Sequence, residues 1–395
     1  MARILLAWEL GANLGHIAPL RALAQQLRAR GHSCVFAARD LNAAEEFIEP
    51  ELGPVLQAPV RLSNNRNPVR TQVSYASLLN NSGFDDIVGL SARIRAWRHL
   101  LHSVDPQLLI CDHAPTALVA ARSLGLPRVH IGTGFTVPPL TQPFPVFRPD
   151  LQVEAKILAH NESAVLQNLN QALARQQLAP FDRLQDLFEG ATGYVLSYPE
   201  LDHYECPRAE PYHGVPEGAH GAQPAWPPGE GPKILAYLRP FNNFQATLTA
   251  LARTPARVLL RVGDVSAARL KSFLRPGLVI TDRPVNMQQA AQSCDAFVNY
   301  ASHGVTAEML LAGKPGLLLP TLVERNLVTV RAQRLGAALT PPAGGDFNLS
   351  EALRQLTEDH ALRRAAETFA ARYAHQDRGQ ILPRLTDEIL ARFKL

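Results

Sequence analysis

The sequence predicts an α/β protein built as two doubly wound, parallel-sheet (Rossmann-like) domains facing a cleft. Short apolar runs alternate with helical periodicities almost from end to end, the pattern that folds as right-handed βαβ units. A stretch dense in glycine and proline, Gly214 to Pro232, splits that alternation into two halves. A length of 395 residues with 46% hydrophobic side chains is enough for two cores. The expected layout is a first domain over 1–213, a linker over 214–232 and a second domain over 233–395, with the last helix free to pack back on the first domain.

Composition narrows the partners. The formal net charge is +4, from 39 basic against 35 acidic residues, and no long Lys/Arg run stands out, so nucleic acid is a poor expectation. Cys34, Cys111, Cys206 and Cys294 form no CxxC pair, which points to a reducing cytoplasm and no metal site. Ile4 to Trp8 is too short for a signal-peptide core, and no apolar run is long enough for a membrane span. A soluble chain without an integral membrane segment is expected.

Taken in order, Arg3 opens a strand through Trp8, and the loop Glu9 to His16 leads into a helix marked by Ile17, Leu20, Leu23, Ala24 and Leu27. Gly31 stops it, and Ser33 to Ala38 is the next strand. Gly11 and Gly15 are the glycines of that first loop, which lacks GxGxxG, so a nicotinamide dinucleotide is a weak reading. Residues 61–70 are polar and loop-like. Ile87 to Val104 carries one apolar helical face, and the buried strand Leu108 to Cys111 ends at Asp112, at the carboxyl edge where open α/β sheets bind ligands. A helix over Thr116 to Leu124 and a strand over Arg128 to Ile131 follow. Residues 132–149 hold five prolines and three phenylalanines. Two readings stand for them: a packed connecting loop, or an apolar wall for a hydrophobic ligand, with Phe135 and Phe144 as its contacts. Helical patterns over 151–176 and 181–189 and a strand near Tyr194 to Ser197 complete the first half. After the break come strand 233–238, helix 244–252, strand 257–262, helix 265–273 and strand 278–281, and helical patterns run from Leu349 to Leu395.

The stretch Cys294 to Arg325 organises the second half. Ala296-Phe297-Val298 reads as a buried strand and Ala301-Ser302-His303-Gly304 as a tight turn. A helix runs from Val305 to Ala312 and a second strand from Gly316 to Leu319, followed by a helix ending near Leu335. Free N–H groups at a helix start suit a phosphate, although most such turns in α/β proteins are empty.

The residues ILLAWELGANLGHIAPLRALAQQLRARGH resemble the opening of the GT-B glycosyltransferases that use nucleotide-activated sugars, the UDP-glycosyltransferase family. PVNMQQAAQSCDAFVNYASHGVTAEMLLAGKPGLLLPTLVER resembles that family's donor-binding signature, with Glu308, Gly313, Pro315, Pro320 and Glu324 in register. The resemblance implies a GT-B arrangement and a histidine general base oriented by an aspartate, here His16 and Asp112. A loop histidine with a structural role is the plain alternative. It also implies donor contacts from Val285, Tyr300, Ser302, His303, Gly304, Thr306, Glu308, Glu324 and Arg325.

The donor motif departs from the family pattern. Tyr300 stands where a histidine usually contacts the diphosphate, Ala301 and Ser302 replace glycines, and Glu324-Arg325 replaces Asp-Gln. Pro284 sits where an aromatic usually stacks on the base, and the strand at 233–238 runs into Arg239-Pro240 rather than a Gly-Ser or Gly-Thr turn. Either other groups, Arg239 among them, rebuild the donor site, or donor binding has decayed. Arg239 as a surface charge and His303 as a helix-turn residue are the plain alternatives. The expected function is inverting, metal-independent sugar transfer from a nucleotide diphosphate sugar to a hydroxyl of a small apolar acceptor, with no cofactor. A non-catalytic partner protein and a nucleotide-sugar epimerase or hydrolase are the competing readings.

Overall fold

The computed structural model describes residues 1–395 apart from 12–13, 63, 66, 149, 219–220 and 343–346, so parts of the first loop, of 61–70, of 132–149 and of 214–232 lie outside the described residues. The chain divides into two compact units. Unit 1 comprises Met1–Tyr198, Asp202–Gly214 and Gly379–Leu395, and unit 2 comprises Pro199–Leu201 and Val215–Arg378.

In unit 1 the strands are β1 (Arg3–Trp8), β2 (Ser33–Ala38), β3 (Val55–Gln57), β4 (Leu108–Asp112), β5 (Arg128–Gly132) and β6 (Ala191–Val195). They pair in the parallel order β3-β2-β1-β4-β5-β6. The helices are α1 (Leu14–Ala29), α2 (Leu41–Phe47), α3 (Tyr75–Leu79), α4 (Ile87–Val104), α5 (Pro115–Ser123) and α6 (Ala155–Ala174). In unit 2 the strands are β7 (Lys233–Leu238), β8 (Arg257–Val262), β9 (Leu278–Thr281), β10 (Ala296–Asn299), β11 (Gly316–Leu318) and β12 (Ala338–Leu339), in the parallel order β12-β11-β10-β7-β8-β9. Its helices are α7 (Phe244–Arg253), α8 (Met287–Ser293), α9 (His303–Leu311), α10 (Val323–Arg334), α11 (Leu349–Glu358) and α12 (His360–Tyr373). The last helix, α13 (Ile381–Phe393), adds Leu385, Ile389 and Leu390 to the core of unit 1.

The two strand orders are one topology, and both sheets are doubly wound as the alternation predicts. Central strands such as β1 and β4 bury nearly every side chain because helices cover both faces, which is why they read as continuous apolar runs. In each sheet the winding reverses once, between β1 and β4 in unit 1 and between β7 and β10 in unit 2. Such reversals open a crevice at the carboxyl ends of the two strands. Trp8 lies opposite Asp112 at the first, and Tyr237 opposite Asn299 at the second.

Several boundaries differ from the sequence reading. α9 begins at His303, so His303 and Gly304 form its first turn rather than the preceding loop. Residues 267–273 and 184–187 close into tight 3-10 turns, not α-helices, because neither run is long enough to sustain an apolar face. β6 ends at Val195, short of the expected Ser197. The Gly/Pro-rich stretch is not a loose spacer where it is described. The Ala222 N–H donates to the Pro284 carbonyl at 2.7 Å, and Trp226 Nε1 donates to Ser293 Oγ at 3.0 Å. Arg378 Nε and Nη2 donate to the carbonyls of Val215 (2.9 Å) and Pro216 (3.1 Å). Among the described residues, no helix is long and apolar enough to cross a membrane.

Candidate active site

At the reversal in unit 1, β4 ends on Asp112 and α1 begins beside it. His16 Nδ1 lies 2.9 Å from Asp112 Oδ1, and both residues are buried. With the carboxylate accepting, the Nδ1–H donates and the ring's other nitrogen, Nε2, is the basic one. Burial raises the Asp112 carboxyl above its ordinary range, while the charge and hydrogen bond of His16 pull it back. A carboxylate kept from water in this way interacts more strongly with an imidazolium beside it.

The loop before α1 is shaped around that ring. Gly11 has φ +85°, and a Cβ placed on it would fall 2.1 Å from His16 Nε2. Trp8 stacks on the same ring, with ring centres 5.9 Å apart and planes 23° from parallel. Two further groups were missed by the sequence reading. Glu9 directly follows β1, and its buried carboxylate accepts the Thr116 N–H at 2.9 Å and the Thr116 hydroxyl at the start of α5. Burial pushes its pKa up to about 7 against these hydrogen bonds. His113, next after Asp112, has φ +51°, is buried, and sets its ring 5.8 Å from that of His16. Adjacency to Asp112 was the available signal for it.

Phe135 and Phe144 both sit in the packed interior of unit 1. Phe135 meets the rings of His113 (6.2 Å) and Phe147 (5.7 Å). Phe144 is fully buried against Tyr75, and its N–H donates to Glu162 Oε2 at 2.7 Å. Phe144 thus fills the packed-loop reading of 132–149, whereas Phe135 borders the histidines.

At the reversal in unit 2, Tyr300 follows β10, with its ring 5.8 Å from that of Tyr237 and the guanidinium of Arg325 4.5 Å above its centre. Arg239 follows β7 and bonds Asp264 at 2.7 Å. Burial lowers the proton affinity of Arg325, with Arg239 acting in the same direction and Tyr300 and Glu324 opposing. Arg261, at the end of β8, acts electrostatically on the same Tyr237 hydroxyl as Arg239. Tyr300, Arg325 and Arg239 are therefore brought into one cluster, and Tyr237, Arg261 and Asp264 are additions that the apolar strand pattern concealed.

The turn into α9 is formed by Ala301 at φ +61°, with Ser302 at the helix N-cap position. Asn299 Oδ1 accepts the Ser302 N–H at 2.9 Å, while the Ser302 side chain makes no capping bond to the helix. Gly304 is exposed, and a Cβ on it would meet nothing. His303 and Thr306 are buried, and Thr306 Oγ1 has no hydrogen-bond partner among the described residues.

Glu308 and Val285 are placed otherwise than expected. The Glu308 carboxylate is buried and accepts from Arg378 Nη1 (3.1 Å) and Nη2 (2.6 Å), because an interior charge needs a partner and Arg378 supplies one. Val285 is buried and bridges to Ala222 through its backbone neighbours, so its side chain belongs to the packing of that stretch. Glu324 and Arg325 are both half-buried at the start of α10.

No family model matches the chain, and no curated protein does. Solved structures match it over nearly its whole length. The glycosyltransferase VinC, in complex with DTDP, is 18% identical with a TM-score of 0.69, covering 99% of this chain and 99% of that one. The calicheamicin glycosyltransferase CalG4 is 19% identical at 0.70, covering 100% and 98%. The glycosyltransferase SnogD from Streptomyces nogalater is 18% identical at 0.65, covering 98% and 99%. At these identities the likeness is one of fold: two Rossmann-like units in one chain, the GT-B fold.

Proposed function

We propose that this chain is an inverting glycosyltransferase, moving a sugar from a nucleotide diphosphate sugar to a hydroxyl of a small apolar acceptor without an essential metal ion. Unit 1 receives the acceptor and unit 2 the donor. The observation that carries the reading is the His16–Asp112 pair, 2.9 Å apart at the sheet reversal. The names of the structural neighbours, glycosyltransferases throughout and one of them bound to DTDP, support it.

In this reading His16 Nε2 takes the proton of the acceptor hydroxyl as its oxygen attacks the anomeric carbon. The bond from that carbon to the diphosphate oxygen breaks on the opposite face, so the configuration inverts. Asp112 holds the ring's tautomer and steadies the imidazolium formed. Arg239, Arg261 and Arg325 supply positive charge for the leaving diphosphate, with the Ser302 hydroxyl and the N–H groups at the start of α9, that of Gly304 included, as donors. Arg239 must first leave Asp264. The free cysteines, with Cys34, Cys111 and Cys294 buried, suit a reducing cytoplasm.

A panel of nucleoside diphosphate sugars with hydroxylated aromatic acceptors tests this. Release of nucleoside diphosphate, product of inverted anomeric configuration by NMR, and an unchanged rate in EDTA are expected. Nucleotide binding without any transfer would favour the non-catalytic partner, the reading that the departures at Tyr300, Ser302 and Arg325 suggest and that the ion pairs engaging Arg239 and Glu308 suit.

A further inference from the structure

His113 has two costly features. Its backbone is left-handed at φ +51°, a conformation that side chains adopt only where the surroundings impose it. Its Nε2 is buried without a hydrogen-bond partner among the described residues. A buried polar atom in that condition calls for an explanation, and an absent ligand is one. The left-handed turn serves a geometric end. The His113 carbonyl accepts the Leu10 N–H at 2.9 Å, tying the β4 end to the loop of the candidate base. The ring is then held between His16 at 5.8 Å and Phe135 at 6.2 Å, with Tyr75 at 6.3 Å.

Burial first, then the charges of His16 and Arg39, hold the His113 imidazole well below its ordinary pKa. It is therefore neutral across the physiological range. A neutral imidazole can donate or accept one hydrogen bond but cannot compete with His16 for the proton of a reacting hydroxyl. The rings of Tyr75 and Phe135 beside it suit a planar molecule.

We propose that His113 is an acceptor-binding residue whose Nε2 pairs with an oxygen neighbouring the hydroxyl that His16 deprotonates, so that the site selects planar acceptors bearing two oxygens on adjacent carbons. This rests on the reading of His16 as the base. The two imidazoles, side by side, address the two oxygens of a catechol or an ortho-hydroxycarbonyl group. A molecule with one hydroxyl leaves the buried nitrogen unmet.

The test compares 6,7-dihydroxycoumarin with 7-hydroxycoumarin, which differ by the adjacent hydroxyl. Binding to the full chain is followed by coumarin fluorescence, so no sugar transfer is needed. The wild type should prefer the dihydroxy compound by about five- to tenfold, the range of one hydrogen bond. His113→Phe keeps a ring and removes both nitrogens. It should bring that ratio to about one. His113→Asn, which tolerates the left-handed backbone and retains a polar group, should restore part of the preference. Equal wild-type affinity for the two compounds, binding of neither, or an undiminished preference in a folded His113→Phe protein each overturns the proposal. If that variant does not fold, the wild-type ratio and His113→Asn decide. The expected preference without transfer from any donor sinks the transferase reading and leaves the pairing standing; transfer to both compounds with equal efficiency does the reverse.

Discussion

After β4 and after β10 the chain makes the same move. One non-glycine residue enters the left-handed region, His113 at φ 51° and Ala301 at φ 61°, and a helix begins shortly after. What fills the two turns differs. In unit 1 the start of α5 is occupied from within, because Glu9 accepts from the Thr116 N–H and hydroxyl. In unit 2 the N-cap residue of α9 makes no side-chain capping bond, and arginines gather at the ends of β7 and β8 and on α10. One topology thus serves two chemistries. Where the chain supplies its own acceptor, the crevice is left to an imidazole and its carboxylate. Where no side chain caps the helix and arginines gather, the proposed function places an external anion.

The sharpest way to break this contrast is to remove the imidazole. General-base removal typically lowers a rate by 10²–10⁴. His16→Ala should therefore abolish most transfer while nucleoside diphosphate affinity, which the proposed function assigns to the other crevice, stays within about twofold. Asp112→Asn should fall in the same range, and the double mutant should be little worse than His16→Ala, since a coupled pair is lost as a unit. Single-turnover rates alongside calorimetric nucleotide titrations check both halves. A folded His16→Ala enzyme with the wild-type rate would end the dyad assignment.

Glu9 measures the internal anion. Its pKa stands near 7 in the fold against an ordinary 4.5, so the folded state binds more protons than the unfolded state between those values. Stability must then fall as pH rises through that window: the contribution of the neutral carboxyl is full below about 4.5 and lost above about 7. At 1.36 kcal/mol per pKa unit the swing is on the order of 3 kcal/mol. Glu9→Gln keeps an acceptor for Thr116 and cannot ionise, so the difference in urea stability between variant and wild type should grow in the variant's favour from pH 4.5 to pH 7. A constant difference would mean that Glu9 is ionised throughout.

The other crevice can be pushed in two directions. A hydrogen bond to a charged group contributes about 1.5–3 kcal/mol, so Arg239→Ala should weaken nucleoside diphosphate binding roughly tenfold while barely touching the nucleoside. Asp264→Asn releases the same guanidinium from its 2.7 Å partner, and it should tighten diphosphate binding by a smaller factor. Isothermal titration of both variants separates the cases. If both shift affinity the same way, Arg239 acts through structure and not through phosphate.

The sequence exposed the parts of this comparison that have a periodic or adjacent signal. The apolar runs 33–38, 108–112, 233–238 and 257–262 became strands with those limits because both faces are covered. His16 and Asp112 were legible as a loop residue and a strand end. Their meeting depends on the register Trp8 to Asp112 across β1 and β4, which the strand order supplies and no local pattern records. Glu9 and His113 escaped notice because burial makes them distinctive, and a lone acidic or imidazole side chain beside a strand looks solvated. Glu308 has a partner that no local pattern announces: its place in the motif suggested a ligand contact, and Arg378, 70 residues away, bonds its carboxylate. β3 and α2 were overlooked because one has three residues and the other seven, too few to show a period.

The smallest effect tests whether the two turns are alike in origin. Ala301 sits where glycine would adopt φ +61° without steric penalty, and a left-handed alanine costs roughly 1–2 kcal/mol. Glycine also gains freedom in the unfolded chain, which takes back about 0.4–1 kcal/mol. Ala301→Gly should therefore raise stability by a fraction of a kcal/mol up to about 1 kcal/mol, read as a shift in urea midpoint at constant slope. His113→Gly has no such clean expectation, because it also removes a ring packed against His16 and Phe135. If Ala301→Gly proves neutral in stability yet tightens diphosphate binding, the left-handed turn is costly only when phosphate approaches, and the methyl group of Ala301 is what restrains the donor crevice. If it destabilises the fold, the surroundings hold Ala301 for its side chain, and the likeness between the two turns is one of shape alone.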